Sequence, residues 1–440
     1  MNTDIILHQN VKKLYLHYLL PTLIALLSNS MYCLADVYFI AQGAGSNGLA
    51  ALNIAMPVFS LFASIGMTLG VGGATIMAIA EGNRHDKLRN KAFSLSIYTM
   101  VFIGLILCIG GAIFIEPLAY AFGSSKELLP EVVAYLLPTM LCSIFFILMY
   151  SSSILMRSDH APRTAMIATL VGNISNIILD YIFVIVFKQG VLGASVATCI
   201  GAILVVVCMS SHFFRQQNSV YFTKDVVDFS LWKRMVKNGL GSGLMEISVG
   251  TVTIVFNFVI LRYADAVFLA AFAIVTNIAY VCKGLLNGFA QAAQPILSVN
   301  YGARAFQRVK EGLKISLQCS MIFAITLYAL LFFFPNFVAS LFANGDVALI
   351  SKAAQGIRLY FSSLIFSAVI TMLLYYFQSI EKGNYASFIA ICKGFLFVLI
   401  GLCLLMYLFG LNGIWLTMSF AEALSVCLGI YFMKRVGREI

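Results

Sequence analysis

Charged residues are scarce in this sequence: Asp, Glu, Lys and Arg make up 10% of its 440 residues, while 61% are hydrophobic. A water-soluble chain of this length needs far more polar surface, so the composition argues against a soluble protein. The ten cysteines lie inside or at the ends of apolar runs, without any CxxC spacing. A disulfide framework and a zinc site are therefore disfavoured, and no cofactor is expected.

Sequence motifs for nucleotide use and for hydrolysis are also lacking. No G-x-x-x-x-G-K-[ST] loop occurs, and no polar segment is long enough for an ATPase domain, which argues against primary active transport. No H-E-x-x-H motif occurs either. The five histidines lie at the N-terminus, in predicted loops or near the ends of apolar runs. The chain is therefore not expected to be an enzyme.

What fills the sequence is a series of apolar runs that are long enough to cross a bilayer, which takes about 20 residues each. Between Lys13 and Glu81 the sole formal charge is Asp36, and the Gly-rich loop Ala41 to Gly48 divides this stretch into two predicted spans. The other ten predicted spans are Ala92 to Ile115, Val132 to Met156, Thr164 to Phe187, Val191 to Phe214, Asn238 to Leu261, Val267 to Val299, Ile315 to Phe334, Leu359 to Ile380, Tyr385 to Phe409 and Leu411 to Met433. The sequence predicts an all-α polytopic membrane protein with twelve spans.

The basic residues that give the net charge of +10 fall on alternate sides of the predicted spans. One side takes both termini and most of the basic residues, among them Arg157, Arg163, Arg215 and Arg438. The opposite loops carry few basic residues, among them Lys126, Lys188 and Arg262. The positive-inside rule makes the first side cytoplasmic and predicts a multi-pass protein of the inner (plasma) membrane with both termini in the cytoplasm. This pattern reflects topology and does not indicate nucleic-acid binding.

A shift of the sequence by 220 residues brings its two halves into register. Gly82 then meets Gly302, Arg84 meets Arg304, and the segment Leu49 to Ala51 meets Leu269 to Ala271. Because each half holds six spans, the repeats are parallel and related by an axis along the membrane normal. The predicted division is a first lobe at 1–214, a cytoplasmic linker at 215–237 and a second lobe at 238–440.

Carboxylates within predicted spans are candidate functional groups, because a charge at bilayer depth is costly. Asp36 shares a helix face with Tyr32, one turn earlier, and Asp180 lies on one stripe with Asn173 and Asn176. Carboxylate and amide oxygens suit a hard monovalent cation, and a buried carboxylate also suits a proton. Alternatively, the amides link helices and the Asp residues cap local breaks in the backbone.

The second half carries different charges within its predicted spans, because register places Phe256 and Ile400 opposite the two acids. Its intramembrane charges are Glu246, Lys283 and Lys393. They could neutralise one another as a structural network, or they could serve coupling or substrate binding; both interpretations stay open. Glu422 has no evident partner in the sequence, so a surface or capping role is expected for it.

Three stretches resemble the multidrug and toxic compound extrusion (MATE) family, most closely its bacterial multidrug members. The residues from Pro21 through Asp36 to Ala51 are similar to the family's opening Pro and Asp with a following Leu-Ala-Ala element. Gly172 to Asp180 is similar to its fifth-span Asn and Asp pattern, and Gln294 to Ala303 to its signature after the eighth span. The resemblance runs over essentially the whole chain and implies two parallel six-helix repeats that form a V-shaped transporter.

The resemblance also implies roles for individual residues. It assigns a first-lobe Na⁺ or H⁺ site to Asp36, Asn176, Asp180 and Thr198, with Tyr32 and Asn173 in the adjoining polar network and Pro21 as the bending point. Glu246 is similar to a seventh-span Glu that takes part in ion coupling in some members. Its usual carboxylate partner in the tenth span is missing here, where Tyr375, Tyr376 and Gln378 stand instead.

The function implied is export of small, cationic or amphipathic organic compounds by a monomer, driven by a Na⁺ or H⁺ gradient. The alternative is a flippase for lipid-linked oligosaccharides or polysaccharides of the same superfamily, whose central cavity is more cationic. A third class, a receptor or scaffold that transports nothing, leaves the paired carboxylates unexplained.

Overall fold

The computed structural model describes residues 3–214, 218–224, 227–343 and 345–436. Within these ranges the secondary structure is entirely helical, which confirms the predicted all-α class. Arg215 and Arg438, which the sequence assigns to the cytoplasmic side, lie outside the described residues, as does part of the predicted linker at 215–237.

The helices follow one another with short connections. Those of the first half are α1 (Thr3–His8), α2 (Val11–Gly82), α3 (Asp86–Ile113), α4 (Ile115–Ala121), α5 (Leu129–Leu141), α6 (Ser143–Ser158), α7 (Pro162–Asp180) and α8 (Gly190–Phe214). Those of the second half are α9 (Phe229–Tyr263), α10 (Ala266–Gly302), α11 (Phe306–Phe333), α12 (Pro335–Ser340), α13 (Val347–Tyr360), α14 (Ser363–Ser379), α15 (Gly383–Ile391), α16 (Phe397–Phe409) and α17 (Leu411–Val436). A π-helical segment, Tyr181–Val186, follows α7, and another, Cys392–Leu396, joins α15 to α16.

Helix α2 replaces two predicted spans and the loop between them. Its 72 residues would extend about 108 Å at 1.5 Å per residue, more than three times the thickness of the hydrocarbon core. The helix is interrupted at Gly45, whose φ of 63° and ψ of −154° are not helical. Only glycine adopts this conformation readily. The predicted loop at residues 41–48 is therefore wrong, because a single glycine makes the break.

Nine helices of the described residues are long and apolar enough to cross a membrane, or eleven elements if each of two bent pairs counts as one span. The pairs are α5 with α6, bent by 60°, and α13 with α14, bent by 44°. Counting α2 as two spans on either side of Gly45 would give twelve, so that number remains a prediction. The tenth predicted span, Leu359 to Ile380, contains α14, and α13 extends this bent pair back to Val347.

Short polar side chains fix where several helices begin. The side chains of Asn10, Asp228, Asp265 and Asp346 accept hydrogen bonds from backbone N–H groups in the first turns of α2, α9, α10 and α13. Such caps satisfy donors that have no partner within the helix. Because Asp228 caps α9, residues 229–237 of the predicted linker are helical. The division into lobes remains a prediction.

The two halves meet in a reciprocal contact between α2 and α10. A Cβ atom on Gly82 would lie 2.1 Å from the carbonyl oxygen of Val299, and one on Gly302 would lie 2.2 Å from that of Ile79. These two contacts are related by the same shift of 220 residues that aligns the sequence. A twofold relation between parallel repeats produces this reciprocity, so the repeat found in the sequence is present in the packing.

The outer surface is apolar over much of the helix length. Phe258 on α9 and Phe333 on α11 are 72% and 73% exposed, and Phe102 on α3 is 64% exposed. Exposed apolar side chains of this size suit contact with lipid. The polar and charged side chains that matter for function lie inside the helix assembly.

Candidate transport site

A cavity of about 540 Å³ opens between the halves. Its walls come from α2, α6, α7 and α8 on one side and from α9, α10 and α13 to α17 on the other. This volume is within the range of small-molecule binding sites. Five charged side chains line it: Arg157, Glu246, Lys283, Lys393 and Glu422.

The four residues predicted to form the cation site come from three helices of the first half. Asp36 lies on α2, Asn176 and Asp180 on α7, and Thr198 on α8, and all four are buried. In the amide orientation that gives both its polar atoms a partner, Asn176 donates to Asp180 Oδ2 over 3.1 Å. Its oxygen then accepts from the backbone N–H of Thr198 over 3.2 Å. The structure thus joins α7 and α8 at the predicted site.

Small residues allow this close approach of α7 and α8. Gly172 lies against Gly201 and Val205, and a Cβ atom on Gly172 would be 2.8 Å from the carbonyl oxygen of Gly201. Asp180 is the last residue of α7 before the π-helical segment Tyr181–Val186. Such π-helical turns occur often at functional sites.

Each carboxylate has an oxygen atom that lacks a hydrogen-bond donor. Asp36 Oδ1 and Asp180 Oδ1 are buried without a partner among the described residues. The field of Asp36 also acts on Asp180, so two like charges lie within electrostatic range of each other. A buried charge without a partner is costly. Two carboxylates together with amide and hydroxyl oxygens are a donor set that fits Na⁺, and protonation of one carboxyl would relieve the same repulsion.

The adjoining predicted residues lie at different distances from this site. Asn173 donates to Ser28 Oγ over 3.0 Å and lines the cavity, so it connects α7 with α2 one turn from Asn176. Tyr32 is half-buried on α2 and lies within electrostatic range of Asp36. Pro21 is buried in α2, which stays helical there.

Tyr135 of α5 is a member of this site that the sequence does not reveal. It is 1% exposed and lies within electrostatic range of Asp36 and Asp180. Its position depends on how α5 packs against α2 and α8, and the aromatic residues of a membrane protein are too numerous for one ring to stand out. The pattern of polar residues along a single helix could not have identified it.

The second half holds a charge cluster of three residues, Lys283, Lys393 and Glu422. Lys393 Nζ lies 2.9 Å from Glu422 Oε2, and Lys283 Nζ lies 3.4 Å from Glu422 Oε1. Lys283 also lies over the ring of Tyr360, 5.6 Å from its centre. The surface or capping role expected for Glu422 is therefore wrong: α17 brings it between α10 and the π-helical segment, where both lysines need a counter-ion.

Glu246 does not take part in that cluster, so the first of the two interpretations left open for Glu246, Lys283 and Lys393, mutual neutralisation, does not hold: the two lysines pair with Glu422 instead. Within the described residues Glu246 forms no ion pair, although it lines the same cavity. Tyr150 and Tyr280 line the cavity with it, and its field acts on both phenols and on that of Tyr375. The spacing of residues along α9 and α10 does not indicate that Glu422 of α17 is the counter-ion of Lys283 and Lys393.

Arg157 corrects the topological assignment made from the basic residues. It was placed in a cytoplasmic loop, but it is 3% exposed and lines the cavity from α6. Its guanidinium donates to Ser153 Oγ on the same helix and to Gln291 Oε1 on α10, both over 2.7 Å. Arg157 thus bridges the two halves. It is not in a loop, because α6 extends beyond the predicted end of the span at Met156.

Comparison with known proteins agrees with this architecture. The family model MatE matches residues 21–182 and 242–405, once in each half. The multidrug export protein MepA of Staphylococcus saprophyticus is 25% identical over 431 residues, 97% of this chain and 94% of its own. MepA of Staphylococcus aureus is 25% identical over 430 residues, covering 96% and 94%.

A solved structure supports the same fold. It is described as the outward-facing conformation of a multidrug resistance MATE family transporter of the MOP superfamily, and it superimposes with a TM-score of 0.92 at 20% identity. The alignment covers 100% of this chain and 98% of that one. The family model alone spans well over half of the sequence. The chain therefore belongs to the MATE family, whose members are membrane transporters and not enzymes.

Proposed function

We propose that this protein exports small organic compounds, cationic or amphipathic, in exchange for Na⁺ or H⁺. The observation that carries the proposal is the pair of buried carboxylates, Asp36 and Asp180, each with an oxygen that no donor of the described residues satisfies. The names of the relatives, multidrug export proteins, support the substrate class. The protein would act as a monomer in the plasma membrane, with both termini in the cytoplasm.

The coupling ion would bind in the first half. Na⁺ would take oxygen ligands from Asp36, Asp180, Asn176 and Thr198, whereas H⁺ would bind to the carboxylates themselves. Either ion removes the repulsion between the two acids. The ion gains this free energy only in the conformation in which its ligands are brought together. Ion binding therefore shifts the population toward that conformation.

A route from the ion site to the cavity is provided by α2 and α7. Asn173 faces the cavity and is tied to Ser28, one turn from Asn176 on α7. Pro21 lacks the N–H that would bond to the carbonyl of His17, so α2 has a weak point below the site. We expect α2 to bend there when the acids are neutralised, which would reshape the cavity and release the substrate outward.

Dye retention in cells that express the protein tests this proposal. Asp36→Asn and Asp180→Asn should each abolish gradient-driven efflux while the protein stays in the membrane. Asp346→Asn, at an exposed helix cap outside the site, is the matched control and should export normally. A sodium ionophore and a protonophore, applied separately, identify the coupling ion. Normal efflux by both site variants would refute the coupling site.

The flippase remains a second candidate because of one observation. The charged residues of the cavity are three basic and two acidic, which leaves a net charge of +1. Basic residues in such a cavity could also hold the anionic pyrophosphate of a lipid-linked sugar. Binding of a lipid-linked pyrophosphate by the purified protein, with no dye efflux from cells, would decide for the flippase.

A further inference from the structure

The charge cluster of the second half has more positive charge than its own structure requires. Glu422 is fully buried, and its two oxygens face one ammonium group each, at 3.4 Å and 2.9 Å. One carboxylate balances one lysine, so a full positive charge remains. A buried carboxylate needs only one lysine as its counter-ion. A second buried lysine adds the free-energy cost of desolvating another charge.

The two ammonium groups are the exposed part of this cluster. The side chains of Lys283 and Lys393 are 28% and 14% exposed, whereas that of Glu422 is 0% exposed. All three residues line the cavity, and viewed from the cavity the two lysines lie in front of the carboxylate of Glu422. Each ammonium has three donors. Glu422 takes one from each, and Tyr360 also interacts with Lys283, which leaves at least one donor of each lysine for a molecule in the cavity.

The opposite charge lies on a neighbouring helix. Gly394, next to Lys393, packs directly against Ser248 of α9, two residues from Glu246. Glu246 lines the cavity without an ion pair among the described residues, and Tyr150 and Tyr280 line the same cavity. Aromatic rings beside a carboxylate suit an organic cation. The cavity therefore has an acidic position and a basic position that do not neutralise each other.

We propose that Lys283 and Lys393 form an anion-binding subsite, and that the protein prefers substrates that carry an acidic group beside their cationic or aromatic part. The carboxylate of such a zwitterion supplies the missing counter-charge to the lysines through charge-assisted hydrogen bonds. Its cationic end lies toward Glu246. This inference rests on the proposed export function and narrows its substrate class.

Two dyes with the same fluorophore test the subsite. Rhodamine 110 carries a free carboxylate and is a zwitterion, whereas rhodamine 123 is its methyl ester and is a cation. Binding of each dye to the purified protein in lipid nanodiscs is measured by fluorescence anisotropy. The acid should bind about tenfold more tightly than the ester, as expected for one added charge-assisted contact.

Variants separate a binding role from a structural one. Lys283→Gln leaves Lys393 and Glu422 as a balanced pair, so the protein should fold and lose only the preference for the acid. Lys283→Arg keeps the charge and should keep the preference. Lys310→Gln removes an exposed lysine of α11 and is the control. If Lys283→Gln fails to fold, Lys393→Gln leaves the other balanced pair and answers the same question.

The outcomes distinguish this inference from the proposed function. A preference for the acid that Lys283→Gln abolishes and Lys283→Arg restores supports the subsite. Equal binding of both dyes, equal loss of both in Lys283→Gln, or no binding of either overturns it. If cells export neither dye but the purified protein keeps its preference for the acid, the export function fails and the subsite stands. If cells export the ester but the purified protein shows no preference for the acid, the export function stands and the subsite is refuted.

Discussion

The two halves of this protein share a backbone design but differ in how they treat buried charge. Gly82 and Gly302 make equivalent contacts, and Arg84 and Arg304 adopt the same left-handed conformation, with φ of 58° and 57°. These positions are related by one shift of 220 residues. The repeat therefore preserves the contacts and turns that hold the halves together.

The charges do not follow the repeat. Among the described residues, the first half buries two carboxylates without a cation, at positions where the second half has Phe256 and Ile400. The second half buries one carboxylate between two lysines, and Glu422 corresponds to Ala202 in the first half. The predicted ion site thus has an excess of negative charge, and the charge cluster of the second half has an excess of positive charge. This difference indicates separate tasks, ion coupling in the first half and substrate recognition in the second.

The largest expected effect comes from removing one carboxylate in each half. Glu422→Gln leaves two lysines without a counter-ion and should lower the free energy of unfolding by about 3 kcal/mol. Asp180→Asn removes a charge that has no cationic partner in the described part of the chain, so it should leave stability unchanged or raise it. Thermal unfolding followed by the fluorescence of the tryptophans measures both. Equal destabilisation by the two substitutions would contradict the contrast between the halves.

A smaller effect is expected where the halves are alike. Gly82→Ala and Gly302→Ala each place a Cβ atom 2.1 or 2.2 Å from a carbonyl oxygen, so the backbone must move. Overpacking of this kind costs about 1–3 kcal/mol, and the two losses should be similar. Gly110→Ala in α3, where a Cβ atom has open space, is the control and should not destabilise. A large difference between Gly82→Ala and Gly302→Ala would break the symmetry.

A still smaller effect separates the ion site from the charge cluster. If Na⁺ is the coupling ion, wild-type protein should melt at a higher temperature in sodium chloride than in choline chloride. Binding at ten times the dissociation constant adds about 1.4 kcal/mol of stability. Asp180→Asn should lose this dependence on sodium, and Lys283→Gln should keep it. Loss of the sodium effect in Lys283→Gln alone would place the ion in the second half.

The sequence predicted the features that depend on spacing along one helix. The stripe of Asn173, Asn176 and Asp180 follows from helical periodicity, and resemblance to the family added Thr198 on α8. Gly45 was hidden in a stretch of polar and small residues that looked like a loop, because a break of one residue leaves almost no pattern. Sequence patterns therefore locate such features only to within a few residues.

Features that depend on contacts between distant helices could not be read in this way. Glu422 follows Lys283 by 139 residues, so no local pattern connects them. Arg157 looked like a loop residue because it ends an apolar run, but the folded chain turns it toward Gln291. Tyr135 reaches the acids only through the packing of α5. In each case the missing information was the arrangement of helices in space.

The smallest expected effect concerns how each half begins. Asn10 caps α2 with a neutral amide, whereas Asp228 caps α9 with a carboxylate that accepts from Leu231 N over 2.9 Å. That hydrogen bond, together with Lys91, lowers the pKa of Asp228 below its usual value. A lowered pKa means that the cap stabilises the folded state above about pH 4 and is lost as the pH falls through the folded value. Hydrogen exchange should therefore show that the amide of Leu231 loses protection as the pH is lowered, whereas the amides at the start of α2 keep theirs. At neutral pH, where the Asp228 cap is intact, the melting temperature should be unaffected. Asp228→Asn keeps a cap and should remove the pH dependence, whereas equal loss of protection at both helix starts would assign the effect to general acid unfolding.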